Sequence, residues 1–291
     1  MQTNPIPVDN HLTHGACPLC RSDEVARRGH LDYTGRVSFS SRAIDLARVP
    51  ELWRCRQCGS GFVQNVVDAE TARRLYSSGE AGDRWATQSF QETKTRLVVQ
   101  RMGELFRSGG RVIDVGCNTG EMLDFARQLG CSTAGLEYSE QSRAVLREKG
   151  HEAYQSFDEV PGQFDIISAF DLIEHLYDVP AFLETCHARL AQGGKLVLLT
   201  GDIETASARL AGSHWWYVQY PEHIVFPSGR YLMGSPGFRL LTLDKTYASI
   251  GYQRSPLLGA AQYIRKQLQR RHYNGLPSLG PDHMLIVLGR I

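Results

Sequence analysis

Two sets of residues in the 291-residue chain have the types and spacing to do chemistry. The first could bind a metal. Cys17 and Cys20 lie in CPLC, and Cys55 and Cys58 in CRQCGSGF, each pair in C-x-x-C spacing. One tight turn can then offer two thiolates to a single ion, and two such turns complete a closed tetrahedral shell of the structural zinc type. Gly59 and Gly61 suit the second knuckle. Two disulfides or free thiols are the competing reading; a reducing compartment disfavours disulfides. A closed four-thiolate shell leaves no position for water, so its role is structural.

The second set is a ligand cradle in RVIDVGCNTGEML, Arg111 to Leu123. A short apolar run ends at Asp114, passes Gly116, Cys117, Asn118 and Gly120, and becomes a helix at Glu121. Glycines let the backbone approach a ligand closely, and a helix start offers free N–H groups. The spacing is G-x-x-x-G, not the G-x-G-x-x-G of pyrophosphate-binding loops. Glu137 follows Asp114 by 23 residues, at the end of the next apolar run. A carboxylate there can accept both hydrogen bonds of a ribose diol. A ligand with a ribose but no phosphate fits, its cationic amino acid end near Asp114.

A third stretch, Gly201 to Ser228, crowds Trp215, Trp216, Tyr217, Tyr220, His214 and His223 together. Aromatic walls with a few polar groups are what a small-molecule pocket uses. A histidine there can take a proton from a hydroxyl or carbon acid.

The elements that must position these groups follow from periodicity. From residue 111 strand and helix patterns alternate: RVIDV, STAGLE, a weak HEAYQ, FDIISAF and KLVLLT, with helices at 121–129, 139–149 and 179–191. That alternation predicts a parallel sheet covered on both faces, with ligands beyond the carboxyl ends of its strands. GFRLLTLDKT and DHMLIVLGRI read as a final antiparallel pair. Residues 1–16 are polar and read as extended or disordered, and 66–108 as helical, with Tyr76 and Trp85 at a break as pocket-lining or packing residues. RVSFS and ELWRC could build a ribbon between the cysteine pairs, whose 34-residue separation implies an insertion. The expected layout is a zinc ribbon at 1–65, a helical linker or cap at 66–110, and a main domain at 111–291. The main domain would carry an aromatic lid at about 201–228 and an insert at about 247–281. Arg265, Lys266, Arg270 and Arg271 in that insert suggest a basic amphipathic helix, either a solvated face or a contact for an anionic substrate or membrane surface.

Composition bounds the function. A formal net charge of +1 gives no global field for nucleic acid or membrane. No apolar run approaches the roughly 18 residues needed to span a bilayer. No leader pattern opens the chain, so a cytoplasmic location is expected.

Four segments, VIDVGCNTG (112–120), GLEYS (135–139), FDIISAFDLIEHL (164–176) and LAQGGKLVLLT (190–200), arrive in an order that resembles class I S-adenosylmethionine-dependent methyltransferases. The resemblance covers roughly 111–200. It implies an α/β, Rossmann-like, doubly wound and mainly parallel seven-stranded sheet. It implies that Asp114, Gly116 and Gly120, with Cys117 and Asn118 in the same loop, cradle the methionine part of the cofactor. Glu137 would hold the ribose hydroxyls, Tyr138 would pack on the adenine, and Phe170, Asp171 and Leu172 would line the floor under the sulfonium. The family usually has glycine where Asn118 stands; a short polar residue tolerates the same backbone. Glu174 and His175 would support the loop and the cofactor. WWYVQYPEHIVFPSGRYL resembles a segment of ubiquinone-type and sugar-type small-molecule methyltransferases, in which His223 takes the position of a base or acceptor-positioning group. Glu222, Tyr220 and Trp216 are its neighbours; a histidine that only tethers the segment is the alternative. The expected reaction is methyl transfer to oxygen or carbon of a small molecule: a sugar, a quinone-like compound or a natural-product intermediate. The competing functions are an RNA methyltransferase that grips RNA through the ribbon, which the near-neutral charge disfavours, and a non-catalytic cofactor-binding scaffold.

Overall fold

The computed structural model describes residues 6–8, 11–31, 33, 35–39, 42–78, 88–106, 110–248, 256–268, 278 and 280–291. A seven-stranded sheet forms its centre. In spatial order the strands are Glu152–Tyr154, Ser132–Leu136, Arg111–Val115, Phe164–Phe170, Leu190–Gly201, His283–Arg290 and Phe238–Thr246. Only His283–Arg290 runs against the rest, pairing antiparallel with both neighbours. The chain winds outward from Arg111–Val115 first to one side and then to the other. The crevice at that switch point, beyond the ends of Arg111–Val115 and Phe164–Phe170, is where such sheets bind ligands.

Local signals explain the helices. Ser139 caps Glu140–Glu148, its Oγ accepting from Ser142 N at 3.3 Å. Asp178 caps Val179–Arg189, accepting from Ala181 N at 2.9 Å, with a proline in the first turn. Helices Gln88–Met102 and Glu121–Gln128 cover one face of the sheet, burying Val98, Met102, Met122, Leu123 and Ala126. On the opposite face Ile113, Val115, Ile167 and Leu198 join the same buried cluster as Phe62, Val63 and Phe226. The N-terminal module and the sheet therefore share one core.

That module is more heavily built than its sequence suggested. Residues 11–16 are not disordered: His11–Leu12 pairs with Val66–Val67, and Ile6–Val8 pairs with Ile44–Leu46. The insertion between the knuckles folds as a three-stranded sheet of Ile6–Val8, Arg42–Leu46 and Gly35–Phe39. The ribbon proper is a four-stranded sheet of Val25–His30, Glu51–Cys55, Gly61–Gln64 and Val225–Phe226. Its fourth strand comes from the far aromatic segment, so ribbon pairing crosses the expected boundary at residue 65. Val66–Val67 is a strand, and helix begins only at Ala69–Ser78. Trp85, Arg270 and Arg271 lie outside the described residues; the insert near the C-terminus contains helix Pro256–Leu268.

Gly61 is required by this junction. A Cβ there would stand 2.2 Å from Ile203 Cδ1. Gly61→Ala should cost about 1–3 kcal/mol through overpacking. Urea unfolding followed by tryptophan fluorescence checks this. An added Ile203→Ala should recover part of the loss, because the two sites touch.

Candidate active site

The donor half is a main-chain construction. Gly116 leaves the first strand at φ 71° and donates to Leu136 O at 2.8 Å. Asn118 stands at φ 50°, in the left-handed region that its short polar side chain tolerates, and its Oδ1 accepts from Ser142 Oγ at 3.2 Å. Gly120, at φ 80°, opens the helix. A Cβ on Gly116 would come within 2.9 Å of Leu172 Cδ1, so the loop and the Leu172 floor touch. Cys117 is buried against Gly135, where an added Cβ would meet its Sγ at 2.6 Å. Its thiol thus belongs to the core.

Glu137 is oriented before any ligand arrives. Asn118 N donates to its Oε2 and Ser139 N to its Oε1, both at 3.1 Å. Tyr138 beside it is 52% exposed, leaving a ring face free to stack. Asp114 is buried and accepts from Ser168 Oγ at 2.7 Å. Burial pushes its carboxyl up to about 7, against the pull of Ser168 and Lys94. Asp171, at the end of the fourth strand, has φ 49°; Lys94 Nζ lies 3.5 Å from its Oδ2, and its Oδ1 is buried without a partner. Such an orphaned acceptor beside a glycine cradle fits a ligand with N–H or ammonium donors. Phe170 packs into the core beneath. Sequence reading missed Lys94. Its one signal is position: 94, 98 and 102 fall on one helix face, where Val98 and Met102 are buried.

The acceptor half gathers around His223, which is buried. Its Nδ1 lies 2.7 Å from Tyr217 O. A carbonyl can only accept, so Nδ1 carries the proton and Nε2 keeps its lone pair. Burial pushes the imidazole well below the usual histidine range, and His175 adds to this. His223 is therefore neutral, with a lone pair on Nε2, and its burial disfavours the protonated form. The His175 ring meets it edge-on at 4.7 Å, and Tyr76 OH lies 3.4 Å from His175 Nδ1. Tyr76 thus reaches the acceptor half rather than the cofactor cradle. Glu174 is fully buried; its Oε2 accepts from Thr200 Oγ1 at 2.9 Å and its Oε1 from the Tyr217 hydroxyl.

The other residues expected near His223 diverge. Tyr220 donates to Asn65 O of the ribbon at 3.3 Å and packs on Tyr33. Glu222 is buried where its charge acts on Tyr76. Trp216 donates to Asp282, away from His223. Sequence reading placed Tyr217 in the aromatic stretch without giving it a role, and missed Thr200 and the Asp282–His283 pair, in which His283 Nδ1 lies 2.8 Å from Asp282 Oδ1. The stretch around them is a buried buttress, with Trp215, Tyr217, Val218, Tyr220 and Phe226 inside the core.

Among the described residues two groups could hold a metal. Cys17, Cys20, Cys55 and Cys58 bring all four sulfurs within 4.8 Å of one another. Cys17–Cys58 and Cys20–Cys55 are 3.8 and 3.5 Å apart, too far for disulfides. With Zn–S bonds of about 2.3 Å, a tetrahedron has sulfur–sulfur edges near 3.8 Å, which this cluster approaches. Glu174, His175 and His223 also converge within 4.8 Å. There both Glu174 oxygens already serve hydroxyl donors.

A model of the methyltransferase domain family matches residues 87–234, just over half of the chain, and the chain belongs to that family. It is 32% identical over 104 residues to the ubiquinone biosynthesis O-methyltransferase of Pseudomonas aeruginosa, a match covering 32% of this chain and 45% of that protein. It is 34% identical over 113 residues to the enzyme of the same name from Bradyrhizobium sp., covering 36% of this chain and 45% of the relative. The chain thus spans under half the length of these curated relatives. Among solved structures, magnesium protoporphyrin IX methyltransferase from Synechocystis PCC 6803 with bound SAH has a TM-score of 0.51 at 15% identity, over 77% of this chain and all of that one. A chain of the complex between the Haloferax volcanii Trm112 methyltransferase activator and a methyltransferase has a TM-score of 0.51 at 17% identity, over 72% of this chain and 96% of that one. At such identities the likeness is one of fold. It includes the mainly parallel seven-stranded sheet described above.

Asp114 sets a proton linkage. With a pKa of about 7 it is half protonated at neutral pH. A cationic ligand beside it favours the ionised form, so binding releases a proton below that pKa and tightens as pH rises through it. Calorimetry of S-adenosylmethionine binding in buffers of different ionisation enthalpy should show proton release at pH 6–7 (roughly one at most) and none once Asp114 is ionised.

Proposed function

We propose that this chain is an S-adenosylmethionine-dependent methyltransferase that moves a methyl group to oxygen or carbon of a small molecule, such as a sugar, a quinone-like compound or a natural-product intermediate. The observation that carries the reading is the juxtaposition of a preoriented Glu137 and glycine cradle with a neutral, buried His223 whose Nε2 is free of a proton.

In this reading Asp114, Gly116, Cys117, Asn118 and Gly120 hold the methionine part, Cys117 through its main chain. Glu137 holds the ribose hydroxyls, Tyr138 stacks on the adenine, and Phe170, Asp171 and Leu172 form the floor. When bound, S-adenosylmethionine supplies a methyl carbon already activated by its sulfonium. The protein's work is then alignment, exclusion of water and removal of the acceptor proton. His223 Nε2 takes that proton. Tyr217 O holds the ring in the required tautomer, and His175 sits against its face. Glu174 fixes Tyr217 and Thr200 around them. Tyr220, tied to Asn65, and Glu222, whose charge acts on Tyr76, support the acceptor half from the ribbon side. The domain layout is a ribbon that runs through Val66–Val67 and is completed by Val225–Phe226, a helical cap that begins at Ala69, and a methyltransferase domain from Arg111 that carries the aromatic buttress and the late insert. The four cysteines hold a structural zinc. Seven cysteines without a disulfide support a reducing compartment, the cytoplasm. Among the described residues no helix is long and apolar enough to cross a membrane.

The test is transfer of labelled methyl from S-adenosylmethionine into a metabolite extract. His223→Gln should lower turnover by about 10²–10⁴-fold while leaving donor affinity nearly unchanged. Unchanged turnover would remove the base role, and failure of the intact protein to bind S-adenosylmethionine would sink the reading as a whole. Metal analysis should find about one zinc per chain, lost when Cys17, Cys20, Cys55 or Cys58 is replaced by serine.

A further inference from the structure

The second cysteine knuckle and the acceptor histidine lie far apart in sequence but are joined by a run of side-chain and main-chain contacts. Ser60 bridges first: its carbonyl accepts from Cys55 N at 2.9 Å, and its Oγ accepts from Ser228 N at 3.0 Å. Ser228 Oγ donates to Cys58 O at 2.5 Å while accepting from Tyr231 N at 3.0 Å, so one buried hydroxyl caps helix Gly229–Met233 and grips the knuckle. Next, Val225 and Phe226 pair antiparallel with Phe62 and Gly61. Then Val63 N donates to Ile224 O at 2.8 Å, and Ile224 N donates to Glu174 O at 2.9 Å. The next residue back is His223.

We propose that the four-cysteine knuckle is a positioning element of the acceptor site: by holding strand Gly61–Gln64 it sets His223 against His175 and Glu174, while the donor cradle stands independent of it. This inference rests on the reading of His223 as the acceptor-side group. The four sulfurs fit a zinc ion, as shown above. The contacts named here involve none of the cradle residues, which are held by Ser139, Ser142, Ser168 and Leu136 instead. Ser228 is the positioning residue, since its side chain grips the knuckle at Cys58 O and caps the helix that follows the acceptor segment. Without bound metal the four sulfurs keep only weak thiol contacts with one another. The strand it anchors then loses its register with Val225–Phe226, and His223 moves while Glu137 and Asp114 stay.

The experiment needs no acceptor. Histidine-ring ¹H–¹⁵N spectra are recorded on the full-length, zinc-loaded chain, with the His223 signal identified by its absence in His223→Gln. S-adenosylmethionine affinity is measured in parallel by calorimetry. Zinc removal with a chelator should shift or erase the His223 signal while donor affinity stays within about twofold, because none of the hydrogen bonds named above reaches Asp114, Gly116, Asn118 or Glu137. Ser228→Ala should shift the same signal with the zinc retained, and Ser228→Thr, which keeps the hydroxyl, should restore it. An unmoved His223 signal in both the chelated protein and Ser228→Ala overturns the proposal. So does parallel loss of donor binding, which would mean general unfolding. If the intact chain fails to bind S-adenosylmethionine, the methyltransferase reading falls, but the ring spectra still decide whether knuckle and histidine are coupled.

Discussion

Ile224 is held by its main chain from two directions. Its carbonyl accepts from Val63 of the ribbon, and its N–H donates to the Glu174 carbonyl beyond the fourth strand of the sheet. The aromatic stretch from Trp215 to Phe226 is buried on this account. A free lid would leave its backbone groups to water, whereas this one closes the gap between sheet and ribbon and places its hydrogen bonds inside. Tyr217 pins the other end by donating to Glu174. Glu174 thus serves the segment twice, by its carbonyl and by its carboxylate. Burying that carboxylate is tolerable because both of its oxygens are hydrogen-bonded.

The two halves of the site follow different electrostatic rules. The donor cradle places Asp114 and Asp171 around a single nearby ammonium, that of Lys94. Two acids sharing one cation leave an acidic bias suited to a positively charged ligand. The acceptor half is neutral by design of burial: His223 is kept uncharged, and the carboxylate beside it is saturated with hydroxyl donors. His283 differs. Burial opposes its charge, but the hydrogen bond and charge of Asp282 prevail and raise it above the usual histidine range. That ion pair lies behind Tyr217, which separates it from His223 with an aromatic ring in contact with both.

The donor half was legible in the sequence because it is local. Strand, glycine turn and helix start are consecutive, and Glu137 comes one strand later; even the departure at Asn118 matches a left-handed backbone that asparagine tolerates. The order of the sheet follows from the same alternation. The acceptor half resisted because its contacts span long separations. Tyr217 meets Glu174 43 residues away, and Tyr220 meets Asn65 across 155. Gly61–Gln64 is buried at all four positions, so no alternation marks it as a strand, and its partner is only the two-residue Val225–Phe226. The pairing of Ile6–Val8 was hidden for the same reason: three residues show no period, and their partner lies inside the insertion. Lys94 was overlooked because an amphipathic helix is read for its apolar stripe, and a lysine on that stripe looks like noise until its acid is seen.

The shared edge between Phe226 and the ribbon also bears on how such a chain can diversify. A module attached by a linker can be gained, lost or exchanged without disturbing its neighbour. Here the module completes its sheet with a strand borrowed from the catalytic domain, and the two bury one core. Recombination at residue 65 would strand half a sheet on each side of the cut. Change in the ribbon and change in the aromatic segment are therefore coupled through that shared edge.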